Sequence, residues 1–350
     1  VEVPDHTLTP MGGRMLRRAL LLPLKDLGQI RKRLDTVEAL LKRPQAQDQL
    51  AEHFRALGDL ERLASKVATQ RLAPKEADLL RASLRLIGPI KTSLQAFEHE
   101  VLSRYADQFE PEGPALTVLD TFLQDEVSGT LADGNIIRSG VSEELDELRD
   151  LKQHSNDRLL AMQQREVDQT GISSLKIGFN KVFGYYLEVT HAHKNKVPAE
   201  WTRKQTLTNA ERYITEELKA YEEKILSAEE RILTLEAELY QRFLAQLQHH
   251  IQLLQQHARL LAELDLLLGF ARVSQAYGYV KPTVGDDSRI EIQQGRHPVI
   301  ERTLPPDRPY VPNDILLDNE AQQVIIITGP NMAGKSALLR QTALIVLMAQ

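Results

Sequence analysis

The sequence has no cysteine among its 350 residues, and only 5% of the residues are aromatic. The absence of cysteine excludes a disulfide framework, a cysteine-based metal site and a cysteine nucleophile, and it is typical of a reducing compartment. No apolar run approaches the roughly 18 residues of a membrane-spanning helix, and the first residues do not resemble a secretory signal. We therefore expect a cytoplasmic protein that makes no membrane contact.

An overall excess of basic residues is also missing, since the formal net charge is −6. This charge disfavours a surface that binds nucleic acid everywhere, but it leaves room for local basic segments. Residues 11–34 contain seven basic residues and one acid, and they form either a solvated helix surface or a nucleic-acid face. Residues 172–208 contain six basic residues and two acids, which makes this segment basic within an acidic chain.

A phosphate-binding pattern, G-x-x-x-x-G-K-S, occupies residues 329–336. It follows a β-branched run at 324–328, which predicts a strand buried in a parallel sheet, and it precedes a helical run. Gly329 and Gly334 allow backbone N–H groups to turn toward an anion, and the helix N-terminus adds its positive dipole. We expect Lys335 to reach the β- and γ-phosphates of a nucleoside triphosphate and Ser336 to ligate Mg²⁺.

Helical periodicity dominates the first part of the chain. Apolar residues recur at steps of three and four over residues 15–41, with a break at Pro23, and this pattern predicts two helices of a bundle. Further helical segments, punctuated by prolines and glycines, continue this bundle.

A second helical run is much longer, because residues 199–268 contain neither glycine nor proline. Residues 208–211 have the form of a capping box, so we predict that the helix begins there. At the rise of an α-helix the run would span roughly 90 Å, either as one helix or as two with a bend at 246–250. The histidines expected on its surface are His249, His250 and His257.

In residues 173–190 the apolar residues recur at every second position rather than at helical steps. Leu175, Ile177 and Phe179 alternate with other residues, and an aromatic, β-branched run follows a turn at 180–181, which predicts a hairpin. The basic loops that follow have the chemistry of non-specific phosphate contact, and the alternative is an ordinary solvated loop. The candidate DNA-contacting residues are Lys194, Lys196, Arg203, Lys204, Gln205, Thr206 and Asn209.

Tyr310 ends a proline-rich segment that lies shortly before the phosphate-binding pattern. A tyrosine at this place either stacks on the adenine of a bound nucleotide or packs against the protein. The residues alone leave both roles open.

Three groups of motifs, spread over nearly the whole chain, resemble the MutS family of DNA mismatch repair proteins. They are TPMGGRMLRRALLLPLK at 9–25, FNKVFGYYLEVT at 179–190 with RKQTLTNAERYI at 203–214, and GRHPVIE, YVPNDI and TGPNMAGKS at 295–301, 310–315 and 328–336. The resemblance implies a mainly α fold with a helical core (1–171), a β-containing clamp insert (172–235), a returning lever helix (236–278) and the start of an α/β P-loop ATPase domain of ABC type (279–350).

By this resemblance the whole protein is a homodimeric, ATP-dependent clamp of the bacterial cytoplasm and nucleoid. It binds mismatched double-stranded DNA and signals to a MutL-type partner, with ATP and Mg²⁺ as cofactors. The implied nucleotide-binding residues are Gly329, Pro330, Asn331, Met332, Ala333, Gly334, Lys335, Ser336 and Ala337, with Tyr310 and Val311 beside the adenine.

Two departures from the family pattern bear on activity. Ala337 stands where the family usually has threonine, although Ser336 is retained for Mg²⁺. The Phe-x-Glu triplet of the family's mismatch-reading domain does not occur in this sequence. We expect the chain to be a fragment of a longer protein, with its catalytic residues beyond Gln350 and little ATPase activity by itself.

Three alternatives remain open. A MutS-like paralogue that begins at the core would share these motifs, but such paralogues lack the clamp insert. A coiled-coil chromosome-maintenance ATPase also joins a P-loop to a long helix, yet its helix follows a heptad seam rather than the 3.6-residue step found here. The chain by itself could also serve as a non-enzymatic scaffold that embraces DNA.

Overall fold

The computed structural model describes residues 3–127, 129–180, 182, 184–305, 307–330 and 334–350. Helices dominate it, and its strands form two small antiparallel sheets, so the mainly α class predicted from the sequence is confirmed. None of the described helices is both long and apolar enough to cross a bilayer.

The chain divides into two compact units. Unit 1 takes in the described residues of Val1–Leu72, Leu79–Thr117 and Gln248–Gln350, and unit 2 those of Ala73–Asp78 and Val118–Leu247. The four domain boundaries expected from the sequence remain a prediction.

Ten helices precede the first sheet within the described residues. They are α1 (Pro10–Leu21), α2 (Leu27–Lys42), α3 (Pro44–Ala56), α4 (Leu60–Ala68), α5 (Pro74–Arg85), α6 (Ile87–Gln95), α7 (Glu100–Asp107), α8 (Pro114–Phe122), α9 (Glu143–Gln153) and α10 (Ser155–Thr170). The later helices are α11 (Glu216–Gln248), α12 (Ile251–Tyr277), α13 (Ile300–Thr303) and α14 (Lys335–Met348).

In the described part of the chain, four strands lie between α10 and α11, and two more follow α12. They are β1 (Lys176–Asn180), β2 (Gly184–Thr190), β3 (Thr202–Thr206), β4 (Ala210–Ile214), β5 (Ile290–Gly295) and β6 (Asn313–Leu317), and a 3-10 helix covers His191–Lys196.

The two helices predicted on either side of Pro23 are α1 and α2. Thr9 caps the first by accepting a hydrogen bond from the N–H of Gly12 at 3.0 Å, and Asp26 caps the second by accepting one from the N–H of Gln29 at 2.7 Å. Short polar side chains at these positions satisfy N–H groups that have no partner inside the helix. Local sequence therefore determines where both helices begin.

The central helix of unit 1 is α12, which packs against α1, α2 and α4. Its middle part, residues 260–273, is buried on most sides, as expected of a helix segment that is mainly apolar. The surface position predicted for His257 is wrong, since this side chain is 1% exposed. Its Nε2 accepts a hydrogen bond from the N–H of Glu110 at 3.3 Å, and burial lowers its pKa to about 4.

Asp265, a second buried polar residue of α12, holds the start of α1 in place. Its carboxylate accepts hydrogen bonds from the N–H groups of Leu8 and Thr9, at 2.9 and 2.8 Å, and from the Thr9 hydroxyl at 2.6 Å. Burial raises the pKa of Asp265 because it disfavours the charged form. Gly12 faces this carboxylate so closely that a Cβ built there would lie 2.6 Å from Asp265 Cγ.

The long helical run begins later than predicted. The capping-box assignment of 208–211 is wrong, because Glu211 lies in β4, where its side chain has other partners. The hydroxyl of Thr215 instead accepts the N–H of Leu218 at 3.1 Å at the start of α11. The run consists of two helices, α11 and α12, and the interruption at His249 and His250 lies inside the predicted bend.

The larger sheet belongs to unit 2 and has the antiparallel order β1-β2-β4-β3. The predicted hairpin is β1 and β2, paired with Ile177 opposite Leu187. One face of the sheet packs against α10 and the first turns of α11. The buried residues of this core are Leu159, Met162, Ile172, Leu175, Leu187, Val189, Trp201, Tyr213, Leu218, Tyr221 and Ile225.

A buried carboxylate also organises the middle of α11. Glu236 is 0% exposed and accepts hydrogen bonds from the N–H groups of Asn135 and Ile136, at 2.8 and 3.0 Å, and from Arg149 Nη2 at 2.6 Å. Gly134 and Asn135 both have positive φ, which lets the chain turn its N–H groups toward Glu236. This loop is therefore fixed by a helix that lies about a hundred residues later in the chain.

The second sheet, β5 and β6, lies in unit 1 and packs against α14. The strand predicted at 324–328 does not form, and Val324 and Ile326 are 76% and 82% exposed. A buried parallel strand needs neighbours on both sides, and the described part of the chain pairs no strand with residues 324–328. Apolar, β-branched composition alone was therefore a misleading signal.

Replacing Gly12 by alanine should destabilise the fold by about 2–3 kcal/mol, because the new methyl group would displace Asp265 from the start of α1. Gly13→Ala is the matched control. A Cβ at Gly13 would lie 3.5 Å from Thr7 Oγ1, an ordinary contact, so this change should stabilise α1 by roughly 0.5–1 kcal/mol. Urea unfolding followed by circular dichroism measures both, and equal effects of the two substitutions would contradict the role of Asp265.

Candidate nucleotide and nucleic-acid sites

The candidate nucleotide site lies at the N-terminus of α14. Gly334 immediately precedes this helix with φ +85°, and Gly329 has φ +148°, two conformations that favour glycine. Because α14 begins at Lys335, its unpaired N–H groups and positive dipole end face the loop that precedes it. The candidate residues Asn331, Met332 and Ala333 lie outside the described residues.

The side chain of Lys335 lies across the loop rather than pointing away from it. Its Nζ donates hydrogen bonds to the carbonyl of Pro330 at 2.8 Å and to the carbonyl of Gly329. Ser336 is exposed, and Ala337 is half-buried. The ammonium group of Lys335 and the hydroxyl of Ser336 therefore lie at the same helix terminus, where an anion and a hard cation could be held together.

Tyr310 is attached to the same helix. Its hydroxyl donates a hydrogen bond to Gln341 Oε1 at 2.7 Å, and Gln341 is fully buried. Partial burial raises the pKa of Tyr310. Gln341 lies six residues after Lys335, so the residue that binds the Tyr310 hydroxyl is roughly 9 Å along the helix axis from the start of α14. The neighbouring Val311 is 75% exposed.

Sequence reasoning missed Gln341. The available signal was the lone amide of α14, which stands shortly before the six apolar residues that end this helix. Gln341 and Ile292 together account for Gly295, because a Cβ at that glycine would lie 2.7 Å from Gln341 Nε2 and 2.5 Å from Ile292 Cγ2. The hydroxyl of Tyr310 is thus held by the protein, and its predicted place beside an adenine stays a prediction.

The candidate nucleic-acid surface is built from the 3-10 helix and the β3–β4 hairpin of unit 2. The backbone N–H of His191 donates a hydrogen bond to the carbonyl of Asn209 at 3.3 Å. The ring Nε2 of His191 donates another to the carbonyl of Leu207 at 3.0 Å. The hairpin closes through a hydrogen bond from the N–H of Leu207 to the carbonyl of Ala210 at 2.8 Å. These bonds place the 3-10 helix beside the tip of the hairpin.

Glu211 lies beneath this surface and brings two candidate residues together. It is 2% exposed, and its Oε1 accepts hydrogen bonds from Lys194 Nζ at 2.8 Å and Arg203 Nη1 at 3.4 Å. The hydroxyl of Tyr213 donates to Oε2. The Lys194 hydrogen bond, followed by that of Tyr213, lowers the pKa of Glu211 to about 2. Burial and the bond to Glu211 raise the pKa of Tyr213 to about 12.

The other candidate residues have different surroundings. Lys196 donates to the carbonyl of Gly171 at 3.1 Å, and the side chain of Gln205 accepts from Arg212 Nη1 at 2.9 Å. The pairing of β3 with β4 shifts between Arg203 and Gln205, so Lys204 is the extra residue of a bulge. Lys204 is exposed and has no ionic or hydrogen-bonded partner within the described part of the chain. Thr206 and Asn209 are exposed at the hairpin tip.

The structure thus brings Lys194 and Arg203 together through a residue that sequence reasoning assigned to a helix cap. The signal available in the sequence was the pair Tyr213 and Ile214, two residue types that favour strands. Among the described residues, no group of three or more metal-ligating side chains occurs.

Comparison with known proteins gives two family matches. Residues 1–271 match the family model described as MutS domain III, and residues 325–350 match MutS domain V. The whole chain is also similar to proteins named DNA mismatch repair protein MutS. It is 54% identical to the one from Cytophaga hutchinsonii, 50% to that of Parabacteroides distasonis and 51% to that of Christiangramia forsetii. The chain covers 41%, 40% and 40% of these proteins, so it spans about two fifths of the curated relatives it matches.

The low pKa of Glu211 predicts how unit 2 responds to acid. A carboxyl whose pKa falls from 4.5 to about 2 on folding stabilises the fold above pH 4.5, and this stabilisation is lost as the pH falls through about 2. The free energy of unfolding should therefore drop more steeply between pH 4.5 and 2 in the natural sequence than in Glu211→Gln.

The fluorescence of Trp201 measures this transition, because it is the one tryptophan in the sequence and its ring centroid lies 6.0 Å from that of Tyr213. Glu200→Gln is the control, since the exposed Glu200 has no ionic or hydrogen-bonded partner in the described structure. Parallel pH curves for the natural sequence and Glu211→Gln would contradict the assignment.

Proposed function

The chain belongs to the MutS family of DNA mismatch repair proteins, and on this premise we propose that it forms part of an ATP-dependent clamp on double-stranded DNA. In this proposal unit 2 contacts the DNA backbone, and the N-terminus of α14 binds ATP with Mg²⁺. ATP binding and hydrolysis then convert a mismatch-sensing state into a sliding clamp that signals for repair.

The observation that carries the DNA-binding part is the meeting of Lys194 and Arg203 at one exposed surface. They come from the 3-10 helix and from β3, and Lys204 projects from a bulge in the same strand. Cationic side chains on exposed loops suit phosphate contact, which positions a duplex without reading its bases. Neutral donors at Gln205, Thr206 and Asn209 would add hydrogen bonds to the same backbone.

The nucleotide-binding part rests on the start of α14. Lys335 would exchange its bonds to the Gly329 and Pro330 carbonyls for phosphate oxygens, and Ser336 would supply a ligand to Mg²⁺. Mg²⁺ would neutralise charge on the β- and γ-phosphates. Tyr310, held by Gln341, and Val311 would lie beside the adenine. We propose that Gly334 and Ala337, together with 331–333, complete the phosphate-binding loop.

The remaining proposals follow from family membership. The relatives are longer than this chain, and we propose that the groups that position water for ATP hydrolysis lie outside its residues. This chain alone should then bind nucleotide without appreciable turnover. A homodimer, mismatched double-stranded DNA and a MutL-type repair protein are the proposed partners, with the bacterial cytoplasm and nucleoid as the location.

Replacing Lys335 by alanine should weaken nucleotide binding at least about tenfold, because it removes a charged hydrogen-bond donor from the phosphates. The measurement is titration of a fluorescent ATP analogue with Mg²⁺, using the whole protein that contains this chain. Arg340→Ala is the matched control, since it removes an exposed cation from the same helix. Unchanged binding by Lys335→Ala would rule out the phosphate site.

Changing Lys194, Lys196, Arg203 and Lys204 together to alanine should flatten the salt dependence of DNA binding. Four phosphate contacts contribute about −0.9 each to the slope of log affinity against log salt, or roughly −3.6 in all. The part of the DNA affinity that these contacts supply therefore falls about a hundredfold between 50 and 200 mM salt. Homoduplex and mismatched DNA should be weakened by similar factors, because these contacts read no bases.

Alanine at Arg17, Arg18 and Lys25 provides the comparison for this experiment. These three cations are exposed and belong to the other basic segment, at 11–34. Their removal should leave the slope unchanged. The reverse result, an unchanged slope in the quadruple variant and a flatter one in the triple variant, would move the DNA contact to the helices of unit 1.

A further inference from the structure

We propose that Glu211 is a positioning residue for DNA binding, which holds Lys194 and Arg203 so that their remaining N–H donors bind the phosphates of a duplex. This inference rests on the DNA contact proposed above. It assigns a role to an acidic residue at a surface whose other candidate residues are cationic or neutral.

The layering of the three side chains supports this role. The side chain of Glu211 is 3% exposed, whereas those of Lys194 and Arg203 are 52% and 56% exposed. The carboxylate therefore lies below the surface and the two cations lie on it. A duplex approaching from solvent meets the ammonium and guanidinium groups, while the anion that fixes them stays covered.

The hydrogen-bonding capacity of both cations is only partly used by Glu211. An ammonium group has three N–H donors and a guanidinium group has five, and each gives one to Glu211 Oε1. The rest remain for phosphate oxygens. Oε2 is in turn held by the hydroxyl of Tyr213, so the carboxylate cannot rotate away without losing a hydrogen bond.

Tyr213 is itself well anchored. It is 6% exposed and belongs to the core between the sheet and its two helices, where it contacts Trp201. The orientation of Lys194 and Arg203 is thus transmitted from a rigid core through Tyr213 and Glu211 to the surface. Long cationic side chains lose much rotamer freedom when they bind a phosphate, and fixing them beforehand removes part of that loss.

Charge alone would have the opposite effect. Glu211 places a negative charge near the proposed phosphate contacts, and its removal would make the surface more positive and favour DNA by long-range attraction. When Glu211 is neutralised, the positioning role predicts a lower DNA affinity, whereas the change in net charge predicts a higher one. This opposition makes a single substitution decisive.

The test is Glu211→Gln in the whole chain, with binding to a labelled homoduplex of about 30 base pairs measured at 150 mM salt. We expect about tenfold weaker binding, because two side chains must then be ordered at the moment of contact. Glu200→Gln removes the same charge from an exposed position two residues before β3, and it should leave binding unchanged or slightly tighter. Binding by Glu211→Gln that is equal to or tighter than that of the natural sequence would overturn the proposal.

Tyr213→Phe tests the same chain of contacts with an isosteric change that preserves the core. It frees Glu211 Oε2 without altering any charge at neutral pH, and it should weaken DNA binding about threefold, the loss of a modest hydrogen bond. Trp201 fluorescence verifies the fold of each variant. Unchanged DNA binding by a folded Tyr213→Phe would also count against positioning.

Lys194→Ala combined with Arg203→Ala separates this inference from the proposed function. If that double variant binds DNA like the natural sequence, the DNA contact itself is misplaced. If it binds weakly while Glu211→Gln does not, the contact stands and only the positioning role fails. If the DNA contact and the positioning role are both correct, the Lys194→Ala and Arg203→Ala pair should cost less DNA affinity in the Glu211→Gln background than in the natural sequence. Such non-additive losses are the signature of coupled residues.

Discussion

A carboxylate that is taken out of water must receive hydrogen bonds, and this requirement organises both units of the protein. Asp265 on α12 receives the N–H groups that open α1, and Glu236 on α11 receives those of a loop about a hundred residues earlier. In each case a long helix provides a fixed acceptor, and a distant segment provides the donors. Apolar packing brings such segments close, whereas the buried carboxylates determine the position of their backbone.

Glu211 obeys the same rule with a different outcome. Its donors are the side chains of Lys194, Arg203 and Tyr213 rather than backbone N–H groups, so the buried charge fixes the direction of two exposed cations. At Asp265 a buried carboxylate fixes the backbone at the start of α1, whereas at Glu211 it fixes side chains of an exposed surface. Because the carboxylate is covered and the side chains of Lys194 and Arg203 are not, the surface exposes positive groups although the chain as a whole is acidic.

The start of α14 follows another constraint, the conformational freedom of glycine. Gly329 and Gly334 adopt positive φ on either side of the loop, and the helix begins immediately afterward. This geometry follows from local sequence and was predicted from the motif. The strand expected before the loop failed, because a strand at 324–328 depends on partner strands that the described residues do not supply. Tyr310 was recognised as a candidate, but its attachment to Gln341 was not visible in the sequence.

The sequence by itself determined the features that depend on neighbours within a few residues. These are the breaks at Pro23 and near His249, the β1–β2 hairpin, the positive φ of Gly329 and Gly334 and the family resemblance. Tertiary structure alone decided the features that depend on distant partners. His257 became buried because other helices surround α12, and Glu211 became part of a strand because Ala210–Ile214 pairs with β2 and β3. Periodicity reports which face of an element is apolar, but it carries no information on which distant group will meet a polar side chain.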